Sequence, residues 1–140
     1  MSGPTFNQVQ VLLIKAAQDE AVLHGSGSSD EILGFHAQQA VEKLMKALLS
    51  QVGIVFERTH VLGRLETALI AAGESSPVCP LPLSQLNEFA VNYRYDYLPE
   101  TVCPSRKELI ETVGLWRDHV YARVTALSGS AETVEAVTSL

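Results

Sequence analysis

Three groups of side chains in this sequence have the types and spacing to meet an anion. The first is Gln39, Lys43 and Lys46, which share the polar side of one helical stretch. Glu42 and Lys46 stand four apart in the order that favours a surface ion pair. The plain reading of this group is a solvated helix face; the functional reading is a ligand site. The second group is Glu57-Arg58-Thr59-His60, where a connector meets a helix start. Free backbone N–H groups there, with Arg58 and His60 beside them, suit an anion, although a simple N-cap would look the same. The third group is Asn92-Tyr93-Arg94-Tyr95-Asp96-Tyr97, which holds three of the four tyrosines in the chain. An arginine flanked by aromatic rings can grip a phosphate with two N–H groups and stack a base. The same residues also suit a subunit interface sealed by Tyr95 and Tyr97, with Arg94 paired to Asp96.

Composition narrows the chemistry. The 140 residues suit one domain, and a hydrophobic content of 46% against 19% charged supplies a core. The formal charge of −6 argues against a surface that coats nucleic acid by charge alone. An anionic ligand would have to be held by a local cluster of Lys and Arg. No apolar run is long enough to span a bilayer, and no signal peptide is evident, so a cytoplasmic protein is expected. Cys79 and Cys103 lack CxxC spacing and read as thiols, and no ligand cluster for zinc or another metal is visible. The sequence also lacks a glycine-rich phosphate loop, an HExxH pair, a GxSxG elbow and the ExxH pairs of a di-iron bundle. No cofactor is implied.

The elements that must position these groups are helices. Thr5 and Gln8 form a capping box, followed by the face Val9, Leu12, Leu13, Ala16 and Leu23, ending near His24. The central helix runs from Ser28 to Val52, with Ser28 and Glu31 as its capping box and Gly53 as its left-handed stop. Leu33, Ala37, Ala40, Val41, Leu44 and Leu48 form its apolar face, and Gln39, Glu42, Lys43 and Lys46 fall opposite. The run Ile54-Val55-Phe56 reads as a connector packed across the bundle end. Thr59 caps a third helix with Leu62, Leu65 and Leu69 inward, closed by Gly73. A loop over 74–82 leads to a fourth helix carrying Leu83, Leu86, Phe89, Ala90 and Tyr93. Ser105 and Glu108 open a fifth, with Leu109, Val113, Trp116, Val120, Val124 and Leu127 inward. The fold expected is all-α, an up-and-down four-helix bundle with a short additional helix. It occupies residues 1–130 and is followed by a mobile tail over 131–140.

The block Phe-His-Ala-Gln-Gln-Ala-Val-Glu-Lys-Leu-Met-Lys-Ala-Leu-Leu at 35–49, then Arg58-Thr59-His60-Val61-Leu62, then Arg94-Tyr95, resembles the HEPN domain family. HEPN stands for higher eukaryotes and prokaryotes nucleotide-binding. The resemblance covers about residues 6 to 127. It implies a helical bundle that forms a homodimer. It also implies a possible nucleotidyltransferase partner in a toxin–antitoxin pair, and a nucleotide or RNA as ligand. Nuclease members of the family use an Arg, a short spacer and a His. Arg94 matches the arginine, but Pro99, Glu100 and Thr101 stand where the histidine belongs. Enzyme activity is therefore not expected, and Arg94 and His60 are the weak catalytic candidates that remain. The reading implied is a dimeric nucleotide- or RNA-phosphate-binding, or partner-binding, module. Its ligand residues would be Arg94, Tyr95, Lys43, Lys46, Arg58 and His60, with Tyr95 and Tyr97 at the interface. The alternative is an active, metal-independent ribonuclease toxin.

Overall fold

A computed structural model describes residues 3–92 and 104–128. Among these residues five helices follow one another: α1 (Gly3–His24), α2 (Asp30–Gln51), α3 (Leu62–Ala71), α4 (Leu83–Asn92) and α5 (Arg106–Ser128). The described residues contain no strand, so the all-α bundle expected from the spacing is what forms. Its centre is α2, which packs against each of the other four helices. Leu33, Ala37, Ala40, Val41, Leu44 and Leu48 are buried, as the spacing predicts, and Trp116 lies in the same core.

The enclosure of α2 goes further than its sequence pattern suggests. Met45, Ala47 and Leu49 are also buried, and so is Glu42, at 3% exposure. The expectation that Glu42 lies on a solvated face is thus corrected. A helix with neighbours on nearly all sides has only a narrow strip left for water, and Glu42 sits at the covered edge of that strip.

The helix ends show where local signals act and where tertiary contacts replace them. The N-cap of α2 is Ser29, not Ser28: its Oγ accepts from the Ile32 N–H at 3.4 Å, with Asp30 and Glu31 in the first turn. Gly53 does end α2. At φ 80° it lets its own N–H reach the Ser50 carbonyl and the Ile54 N–H reach the Leu49 carbonyl, a Schellman closure. Gly73, at φ 90°, closes α3 with the same pair of bonds. The first helix starts at Gly3, which puts Thr5 inside its first turn and not at the cap.

Thr59 does not cap α3 either. Its Oγ1 accepts from Val61 N–H at 3.0 Å in a local turn, while the first N–H of the helix, on Leu62, donates to Oδ1 of Asn87 on α4 at 2.9 Å. The donor left free by the helix start is satisfied across the bundle. At α5 the local signal wins: Glu108 N–H donates to Ser105 Oγ at 3.1 Å and Ser105 N–H to Glu108 Oε1 at 3.0 Å. Leu127, expected inward, is 42% exposed. Of the connector 54–56, only Phe56 packs on the core; Val55 is fully in solvent.

Candidate functional site

The polar strip of α2 is built from spacing. His36, Gln39, Lys43 and Lys46 follow at intervals of three and four, and Gln38 and Glu42 run beside them. The strip faces α1 on one side and the start of α3 on the other. Each side brings it one acid–imidazole contact.

On the α1 side, Asp19 receives two donors. His36 Nδ1 donates to its Oδ1 at 2.8 Å, and the Lys43 ammonium bonds its Oδ2. The Asp19 side chain is 11% exposed, which makes this a largely dry contact between two long helices. Sequence reading did not single out Asp19 or His36. A signal was present, however. The apolar series Val9, Leu13, Ala16, Leu23 calls for a member at 19 or 20, and both positions hold acids, Asp19 and Glu20, each 8% exposed. An acid on an apolar seam needs a partner. Asp19 finds Lys43 and His36, and Glu20 finds Arg117 of α5 at 2.6 Å. Burial pushes the Glu20 carboxyl up, and Arg117 pulls it part of the way back.

On the α3 side, Glu42 is the hub. Lys46 Nζ donates to its Oε2 at 2.9 Å, and Gln38 Nε2 to its Oε1 at 3.2 Å. Nδ1 of His60 donates to both carboxylate oxygens, at 3.0 and 3.1 Å. Gln38 also donates to the backbone carbonyl of His60 at 3.0 Å, and Gln39 donates to Gln38 Oε1 at 2.7 Å. The connector is therefore held at His60 by both its side chain and its backbone. With Nδ1 bound to the carboxylate, Nε2 is the free ring nitrogen, on a side chain 66% exposed. Lys46 also lies 5.9 Å from the centre of the Phe56 ring.

Several of the residues expected to bind a ligand are thus brought together and already engaged. Lys43 and Lys46 are neutralised by Asp19 and Glu42, so with neutral imidazoles the strip carries no net charge. Arg58 is exposed and has no ion pair or hydrogen bond among the described residues. Arg94, Tyr95 and Tyr97 lie outside the described residues, as does Cys103. Cys79 is a half-buried free thiol whose pKa burial pushes up, which disfavours the thiolate. Among the described residues, no three of His, Cys, Asp and Glu gather as metal ligands, and no helix is long and apolar enough to cross a membrane.

A family model described as HEPN domain matches residues 19–116. The match begins at Asp19 and ends at Trp116, so it takes in both acid–imidazole contacts. No curated protein and no solved structure gives a significant match to the chain.

Proposed function

The chain belongs to the HEPN domain family, and on that premise we propose that it is a dimeric module that binds a nucleotide or an RNA phosphate, and pairs with a nucleotidyltransferase partner in a toxin–antitoxin setting. One observation supports the binding reading most: His60 is pinned to the buried Glu42 and to Gln38, so its exposed imidazole edge has a fixed position, two residues from Arg58, which has no partner among the described residues. In its imidazolium form the ring also donates at Nε2, and such a fixed donor, with the Arg58 guanidinium two residues along the chain, suits phosphate oxygens. Direct contact falls to Arg58, His60, Arg94 and Tyr95. Lys43 and Lys46 keep Asp19 and Glu42 neutralised, so that the strip does not repel an anion.

The test is a titration of the full chain with fluorescent ATP and with a short single-stranded RNA, with His60→Ala and Arg94→Ala beside wild type. Loss of about tenfold in affinity in each variant is expected. Equal affinity in all three proteins removes both residues from the site. A second reading, ribonuclease activity, draws on the same geometry, since an imidazole anchored through Nδ1 can move a proton at Nε2. RNA cleavage by wild type that His60→Ala abolishes would establish that reading over the first.

A further inference from the structure

The end of α2 carries a feature that the polar strip does not use. Ser50, in its last turn, is 4% exposed, and its Oγ has no hydrogen-bond partner. A serine here ordinarily donates back to a carbonyl one turn earlier. This one does not, and it is the one buried side-chain polar atom left unsatisfied among the described residues. Such a group costs stability unless something completes it. Ser50 also lines a cleft of about 340 Å³, together with Gln8 of α1, Arg58 and the apolar run Ile54, Val55 and Phe56.

The lining has one chemical character. Its three polar side chains, the Ser50 hydroxyl, the Gln8 amide and the Arg58 guanidinium, can all donate. No Asp or Glu among the described residues lines it, in a chain with 16 acidic residues. The carbonyl end of α2 points the other way electrostatically, with about half a negative charge. The whole positive charge of Arg58 outweighs it, and the carbonyls of Leu48, Leu49 and Ser50 are already occupied by N–H groups. At this size the cleft is near the lower limit for small-molecule sites, which suits a compact ligand better than a nucleic-acid strand.

We infer that this cleft binds a small phosphomonoester of about sugar-phosphate size. Arg58 and Ser50 meet the phosphate, Gln8 closes one side, and Ile54 and Phe56 cover the body of the ligand. The inference rests on the phosphate-binding reading above, but it places the ligand at the end of α2 and not at Arg94.

The experiment is an amide-shift NMR titration of the full chain with ribose 5-phosphate, with ribose and inorganic phosphate as separate arms. Ribose 5-phosphate should move the amides of residues 53–58 and the side-chain amide of Gln8, while ribose should move neither. Inorganic phosphate should move the same signals more weakly. Arg58→Gln should weaken binding about tenfold, and Ser50→Ala about fivefold. Ser50→Ala should leave the melting temperature of the free protein unchanged or raised, because it removes an orphaned hydroxyl. Binding unchanged in both variants, equal binding of ribose, or no shift at 53–58 overturns the inference. If Arg94→Ala alone abolishes ribose 5-phosphate binding, this cleft is wrong and the phosphate-binding reading stands. If ribose 5-phosphate binds nowhere, and neither ATP nor RNA binds, both fall.

Discussion

Asp19 and Glu42 face one problem in two places. Each is an acid inside the bundle, and each takes one imidazole Nδ1 and one lysine ammonium. The difference lies in what they join. Asp19 ties α1 to α2, and its histidine, His36, has a side chain 29% exposed. Glu42 ties α2 to the connector before α3, and its histidine is 66% exposed. The first contact behaves as a clamp between rods that pack anyway. The second fixes the start of α3 and presents a ring to solvent. The same set of partners thus joins two buried helix faces on one side of the strip and leaves an imidazole open to solvent on the other.

The scale for both contacts is set by the apolar side of the same helix. Leu44 is buried at 2% exposure and has no polar role. Leu44→Ala should cost about 2–5 kcal/mol in chemical denaturation, from lost burial and the cavity left behind. A loss below about 0.5 kcal/mol would mean that the helix does not face the core as described.

Next in size is the comparison of the two acids. Glu42→Ala strands Lys46, Gln38 and the His60 anchor together, and should cost about 3 kcal/mol, the low end for a broken buried pair. Asp19→Ala should cost about 1–2 kcal/mol, since Asp19 and its lysine are more exposed than Glu42 and Lys46, and no glutamine amide is stranded with them. The reverse order, measured by urea denaturation, would make Asp19 the hub and the His60 anchor secondary.

How much of this was legible in the sequence follows from which contacts are local. The α2 apolar face, the Gly53 stop and the Ser105–Glu108 box depend on residues a few positions apart, and they read correctly. The α3 start did not read, because the acceptor for Leu62 N–H is Asn87 on another helix. Thr59 offered a local cap that the bundle had no need of. Gln39, Lys43 and Lys46 were visible as a strip, but their engagement with Asp19 and Glu42 depends on how α1 and α3 dock, which spacing along α2 does not encode. Asp19 was the missed clue, an acid in an apolar series. The Ser50 cleft left no sequence signal, since an unpaired hydroxyl is a property of packing alone.

The histidines separate the two contacts more finely. His36→Ala should cost about 1.5 kcal/mol, because it removes a donor from a dry acid. His60→Ala should cost under about 1 kcal/mol, because Lys46 and Gln38 still hold Glu42 and the lost ring was mostly in water. Ligand affinity should move in the opposite order, with His60→Ala losing the more. Two variants equal in both readouts would erase the distinction between clamp and display.

The smallest effect comes from an acid whose cation lies more open to water: the Glu74 side chain is 6% exposed, but Arg123 is 41% exposed. Glu74, just after α3, takes Arg123 of α5 through two bonds, Nε to Oε1 at 2.8 Å and Nη2 to Oε2 at 3.0 Å. Those bonds hold the Glu74 carboxyl below its ordinary value of 4.5, against a smaller upward push from burial. A carboxyl lowered in the folded state takes up its proton more readily when unfolded. Its contribution is therefore complete above pH 4.5 and fades as the pH falls through the lower, folded value. Glu74→Gln should lower the melting temperature at neutral pH by less than either His36→Ala or Asp19→Ala does. The gap to wild type should then close in acid. A gap that persists there would mean that Glu74 acts through packing, and that its pair with Arg123 is no measure of what the ion pairs add at Asp19 and Glu42.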